Sequence, residues 1–219
     1  MAHLVSPSLL AADFGNLQKD IEMVNHSMAD WFHLDIMDGV FVPNISFGFP
    51  VISFINKYAS KPLDVHLMIS NPESYLSRFR DAGADILTIH YESTVHLHRN
   101  VTEIRRLGMK AGVAINPHTP VDSLKDILPW VDMILIMTVN PGYGGQKFIQ
   151  TSYRRIAELR KMIDENNYKV YIQVDGGVDI ANTPDLLAAG VDVLVAGTTV
   201  FGSDDPAGAI EKLKSAKPS

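Results

Sequence analysis

A regular alternation of short apolar runs with longer helical patterns, repeated eight times along the chain, constrains this sequence more than any other feature. The runs are Leu4–Leu10, Trp31–Met37, Leu63–Met68, Asp85–His90, Ala111–Asn116, Asp132–Thr138, Val170–Asp175 and Asp192–Ala196. Helical spacing fills Asn16–His26, Pro72–Ala82, Val95–Leu107, Ser152–Asn166 and Pro184–Ala189. Gly83, Gly108 and Gly190 stand where a left-handed residue would cap three of these helices. Strict β/α alternation with short connections demands parallel strands and the α/β class. Eight units in 219 residues fit one closed (β/α)8 TIM barrel. No linker or low-complexity block divides the chain, so a single domain over residues 1–219 is expected. An open doubly wound sheet is the alternative, but no Gly-x-Gly-x-x-Gly follows the first run.

Composition narrows the function. Nineteen Lys and Arg against 25 Asp and Glu leave a formal charge of −6, which argues against a general nucleic-acid or anionic-membrane partner. A local pocket can still take a small anion. The absence of cysteine removes disulfides, thiolate metal sites and cysteine nucleophiles. No apolar run approaches the ~18 residues of a membrane span. The stretch from Met1 to Ser8 lacks the basic start of a secretory leader. The expected location is therefore cytoplasmic.

Side chains alternate along a strand, so parity sorts the chemistry. In the second run Phe32, Leu34 and Ile36 share one face, while His33, Asp35 and Met37 share the other. The third opposes Val65, Leu67 and Ile69 to Asp64, His66 and Met68, and the seventh opposes Val170, Ile172 and Val174 to Tyr171, Gln173 and Asp175. The apolar faces suit the outer helices. His33, Asp35, His66 and Asp175 should then point into the barrel near strand C-terminal ends, where such barrels keep their sites. Two imidazoles and two carboxylates in an apolar interior need partners. One divalent cation would satisfy all four, and a metal-free His–Asp network is the alternative. Such a set accepts Zn²⁺, Fe²⁺, Mn²⁺ or Co²⁺.

Glycine clusters follow the last three runs: Gly142-Tyr143-Gly144-Gly145, Gly176-Gly177 and Gly197-Thr198. Bare backbone N–H groups in adjacent loops can bind phosphate. Glycine is also the ordinary turn residue. Met37, Met68 and Met137 fall at run ends, either as core filler or as an apolar wall that shields a reactive intermediate. No lysine ends a run, which leaves a Schiff-base lyase without its amine. His26, His90, His96, His98 and His118 read as surface or helix-packing residues.

Ser6-Pro7-Ser8, the block from His33 to Gly39 (His-Leu-Asp-Ile-Met-Asp-Gly), Pro43-Asn44, His66-Leu67-Met68, Asn116-Pro117, Pro141 to Gln146 and Val174 to Gly177 resemble the ribulose-5-phosphate 3-epimerase family. The resemblance runs from Ser6 to about Gly202. It implies a ribulose-phosphate-binding barrel and an isomerase of the pentose phosphate pathway that interconverts D-ribulose 5-phosphate and D-xylulose 5-phosphate. It implies one divalent cation per subunit on His33, Asp35, His66 and Asp175, with Asp35 and Asp175 as the acid/base pair acting through a 2,3-enediolate. Ser8 and His66 would touch the sugar phosphate, and Gly142 to Gly145, Gly176, Gly177, Gly197 and Thr198 would hold its phosphate. Thr198 departs from the serine common in relatives but keeps the hydroxyl. The D-allulose-6-phosphate 3-epimerase branch is the alternative within the family; a phosphate-binding barrel lyase and an idle metal-binding scaffold are alternatives outside it. Oligomeric state is left open, a homo-oligomer included.

Overall fold

A computed structural model describes residues 3–219; Met1 and Ala2, which begin the expected domain and the stretch read for a leader, lie outside it. Its strands are β1 (Leu4–Pro7), β2 (Phe32–Met37), β3 (Leu63–Met68), β4 (Ile86–His90), β5 (Lys110–Ile115), β6 (Met133–Met137), β7 (Tyr171–Asp175) and β8 (Val193–Ala196). All pair in parallel, in the order β1-β8-β7-β6-β5-β4-β3-β2. The remaining seam, between β1 and β2, is drawn together by a parallel bridge from Ser8 to His33 and by the Asp30 N–H donating to Val5 O at 2.8 Å. The result is the expected barrel.

Around it run α1 (Leu17–His26), α2 (Phe49–Tyr58), α3 (Leu76–Ala82), α4 (Leu97–Arg106), α5 (Ser152–Glu165), α6 (Thr183–Ala189), α7 (Thr198–Phe201) and α8 (Pro206–Ser215). Two 3-10 turns, Val121–Leu124 and Leu128–Trp130, take the place of a helix between β5 and β6. Gly83 and Gly190 end α3 and α6 at φ of 109° and 110°, a conformation open to glycine at no steric cost.

Several elements differ from the sequence pattern, among them helix α7 and the helix expected over Pro72–Ala82, which begins as the 3-10 turn Pro72–Ser74. The first run is shorter than expected: the chain leaves the sheet after Pro7 and turns into the 3-10 segment Leu9–Ala11, where Ser8 Oγ accepts from the Leu10 N–H. Helix α2 carries Val51, Ile52, Phe54 and Ile55, residues that favour strands, and is held helical by burial of Ile52 and Ile55. Helix α8 begins at Asp205-Pro206, with the Asp205 carboxylate accepting from the Gly208 N–H at 3.0 Å.

The strand faces fall as the alternation of side chains requires. Phe32, Leu34, Ile36, Val65, Leu67, Ile172 and Val174 join the main core between barrel and helices. Inside the barrel, Trp31, Ile86, Met133 and Val193 plug the N-terminal end. Above that plug the inward residues turn polar, and the site begins there.

Candidate active site

Register brings the site together. The β2–β3 pairing sets His33 beside Asp64 and Asp35 beside His66, and the β6–β7 pairing sets Met137 beside Asp175. Each of His33, Asp35, His66 and Asp175 offers a ligand atom within 4.8 Å of all the others. His66 Nδ1 lies 3.0 Å from Asp35 Oδ1 and 4.0 Å from Asp175 Oδ2, and His33 Nε2 lies 3.2 Å from Asp35 Oδ1. Ser8 Oγ donates to the other Asp35 oxygen at 2.6 Å. Both imidazoles are fully buried, whereas the Asp175 side chain is 17% exposed and faces the cavity above.

Hydrogen bonds behind the cluster set its tautomers. His33 Nδ1 donates to Asp64 Oδ2 at 2.7 Å, which leaves Nε2 as the nitrogen that takes either a proton or a cation. That Nε2 is buried and, among the described residues, has no hydrogen-bond partner. Asp64 Oδ2 also accepts from Gln173 Nε2 at 2.5 Å and from Ser6 Oγ at 3.5 Å, so three donors meet on that oxygen, while Oδ1 is buried without a partner among the described residues. A ligating histidine braced by a carboxylate on its far nitrogen is the usual arrangement at protein metal sites.

The electrostatics call for positive charge at this point. Burial pulls the His33 imidazole down, but the Asp35 and Asp64 carboxylates outweigh it and hold the ring well above its usual range. Burial pushes Asp35 up, yet His33 and His66 keep it well below the ordinary carboxylate range. Asp175 is pushed up to about 7, by burial first and then by the Asp35 charge. An orphaned imidazole nitrogen, two carboxylates and a second imidazole within 4.8 Å of one another fit a divalent cation of the kind nitrogen and oxygen donors select.

Above the cluster a cavity of about 1030 Å³ opens at the C-terminal end of the strands. Ser8, Asp35 and Asp175 line one part of it, with Met37, Met68 and Met137 beside them. Gly142 to Gly145, Gly176, Gly177, Gly197 and Thr198 line the rest. His33 and His66 stand behind Asp35, off the cavity wall. Asn44 Nδ2 donates to Gly142 O at 3.0 Å, and Gln146 Nε2 donates to Asn140 O at 2.6 Å and Tyr143 O at 2.9 Å, stapling the long loop after β6. Gly176, at φ 111°, passes so close to Val139 that a Cβ would come within 2.2 Å of its side chain. Only glycine lets the β7 loop lie there.

One histidine corrects the sequence reading. His26, His96, His98 and His118 are exposed, but His90 is fully buried, its Nε2 2.9 Å from His66 Nε2. Parity would have found it: on β4, Ile86, Thr88 and His90 share the inward face, as His66 and Thr88 pair across β3 and β4. The same rule would have singled out Asp64. Glu92 escapes any such rule, because it sits on a 3-10 turn after the strand.

Comparison with known proteins identifies the family of the chain. The Ribulose-phosphate 3 epimerase family matches residues 4–201. The chain is 48% identical over 216 residues to the chloroplastic ribulose-5-phosphate-3-epimerase of Arabidopsis thaliana, covering 98% of this chain and 77% of that one. It is 45% identical over 214 residues to the ribulose-phosphate 3-epimerase of Bacillus subtilis, covering 97% and 99%. Among solved structures it superposes on 3-hexulose-6-phosphate synthase from Salmonella typhimurium with a TM-score of 0.73 at 20% identity, over 96% of each chain, a likeness of fold alone.

Proposed function

Since the chain belongs to the ribulose-phosphate 3-epimerase family, a family of isomerases, we propose that it interconverts D-ribulose 5-phosphate and D-xylulose 5-phosphate, with Asp35 and Asp175 as its acid and base. The observation that carries this reading is that two carboxylates from different strands, Asp35 and Asp175, line one cavity together with the glycine loops.

Inversion at carbon 3, beside a ketone, requires removal of a proton from one face and delivery of a proton to the other. Asp35 and Asp175 come from strands three places apart around the barrel and reach the same cavity. One removes the proton, and the other supplies the replacement. The intermediate is a 2,3-enediolate. His33, Asp35, His66 and Asp175 would hold the divalent cation, Zn²⁺, Fe²⁺, Mn²⁺ or Co²⁺, which when bound stabilises negative charge on the two enediolate oxygens. Ser8, through its 2.6 Å hydrogen bond, fixes the orientation of the Asp35 carboxylate. Met37, Met68 and Met137 exclude water on the apolar side. Backbone N–H groups of Gly144, Gly145, Gly177 and Thr198 would receive the phosphate, and Gly144 already faces the Thr198 hydroxyl, its Cβ position 3.8 Å from Oγ1.

No helix among the described residues is long and apolar enough to cross a membrane. The test of function is direct: the purified chain with Zn²⁺ or Mn²⁺ should convert ribulose 5-phosphate to xylulose 5-phosphate. Conversion of allulose 6-phosphate alone would move the assignment to the hexose branch.

A further inference from the structure

Behind the metal-ligand cluster a chain of buried groups runs from His66 to the loop after β5. His66 Nε2 faces His90 Nε2 at 2.9 Å, and His90 Nδ1 faces Glu92 Oε2 at 3.1 Å. The other Glu92 oxygen accepts from the Asn116 N–H at 2.8 Å and from the Thr119 hydroxyl. The Arg155 guanidinium clamps that loop, donating to Asn116 O at 2.8 Å and Thr119 O at 3.0 Å. Two imidazole nitrogens at 2.9 Å must share one proton, and which ring carries it is decided from outside. Glu92 as a carboxylate can only accept. His90 therefore places its proton on Nδ1 and turns an Nε2 lone pair towards His66. His66 must then carry its proton on Nε2, and its Nδ1 is left with a lone pair facing Asp35 and Asp175.

We propose that Glu92 and His90 are positioning residues that fix His66 in the tautomer whose Nδ1 can ligate the metal. The proposal rests on the metal reading given above and assigns a role to two residues outside the four ligands. It accounts for an otherwise awkward contact: His66 Nδ1 and Asp35 Oδ1, both acceptors in this arrangement, lie 3.0 Å apart. A cation between them resolves it. It also accounts for the burial of His90, which has no place on the cavity wall.

The geometry supplies a variant that reverses the relay. In Glu92→Gln the amide oxygen is claimed by Asn116 and Thr119, whose N–H and O–H both point at it. The amide nitrogen is then left to face His90 Nδ1 as a donor. That moves the His90 proton to Nε2 and the His66 proton to Nδ1, where it blocks ligation.

The experiment is nitrogen-15 NMR of the histidine rings in the full chain loaded with Zn²⁺, together with Zn²⁺ affinity by chelator competition. In the unsubstituted protein His90 should be protonated at Nδ1, and His66 at Nε2. Glu92→Gln should weaken Zn²⁺ binding by about 10- to 100-fold and show His66 protonated at Nδ1. Glu92→Ala, which removes the acceptor without supplying a donor, should lose less affinity than Glu92→Gln. A structural brace would give the opposite order, because the alanine variant leaves the larger gap. Protonation of His90 at Nε2 in the zinc-loaded unsubstituted protein overturns the relay without any variant having to fold. Unchanged Zn²⁺ affinity in Glu92→Gln overturns it equally. Failure of the unsubstituted chain to bind Zn²⁺ at all would overturn the metal reading and the relay with it, an outcome distinct from the other two.

Discussion

The Asp64 carboxylate accepts a hydrogen bond from His33 Nδ1 at 2.7 Å, with both side chains shut away from solvent. Asp64 is the hub on which Ser6, His33 and Gln173 converge from three strands. Removing it by Asp64→Ala leaves the three donors without their shared acceptor inside the barrel. The expected cost is about 2–4 kcal/mol of unfolding free energy, measured by urea titration. Asp64→Asn keeps one acceptor oxygen and should fold, but should lower metal affinity by about 10- to 100-fold, because the brace behind His33 loses its charge. Unchanged affinity in the asparagine variant would detach Asp64 from the metal site.

Metal binding should depend on pH with a definite sign. Burial and the Asp35 charge push Asp175 up to about 7, and the Asp35 and Asp64 carboxylates hold His33 above its usual range, so at pH 6 both carry protons that a cation must displace. Protons compete with metal, and affinity therefore rises as pH rises. Below pH 7 the dissociation constant should fall by about ten- to a hundredfold per unit, for one or two protons released. Isothermal titration in buffers of different ionisation enthalpy counts those protons directly. A flat profile between pH 5.5 and 7 would contradict the raised positions of both groups.

The phosphate loops are best probed at Gly144. A Cβ there meets nothing nearer than Thr198 Oγ1, at 3.8 Å, and its backbone needs no positive φ. Gly177, by contrast, has φ +65°, and a Cβ would sit 2.8 Å from the Phe148 nitrogen, so substitution there disturbs the loop itself. Gly144→Asp places a carboxylate where the phosphate is assigned. KM should rise more than about tenfold while Zn²⁺ binding stays intact, since like charges in contact disfavour binding by a kcal/mol or more. An unchanged KM would move the phosphate elsewhere.

Much of this could be read from the sequence, for one reason: a strand's period of two fixes which side chains share a face, whatever the rest of the fold does. The strands carrying His33, Asp35, His66 and Asp175 lie within a residue of the sequence runs, and their inward direction follows from parity. What parity could not supply were the contacts made beyond the strands. Glu92 reaches His90 from a 3-10 turn, and its partners Asn116 and Thr119 lie more than twenty residues away in sequence. Helix α2 was illegible because its Val51, Ile52, Phe54 and Ile55 suit a strand, and only packing of Ile52 and Ile55 makes the segment helical.

Two aspartates, rather than one, are assigned to the proton at carbon 3. Both carboxylates line the cavity, Asp35 braced by Ser8 and Asp175 partly open to solvent. If one removes the proton and the other delivers its own, the new C3 proton comes from a group that exchanges with water. The measurement is proton NMR of ribulose 5-phosphate turned over by the metal-loaded chain in D₂O. Xylulose 5-phosphate formed in the first turnovers should carry deuterium at C3, and neither Asp35→Asn nor Asp175→Asn should form it at more than about a hundredth of the normal rate. Xylulose 5-phosphate that retains the substrate's own C3 proton would contradict the two-aspartate account.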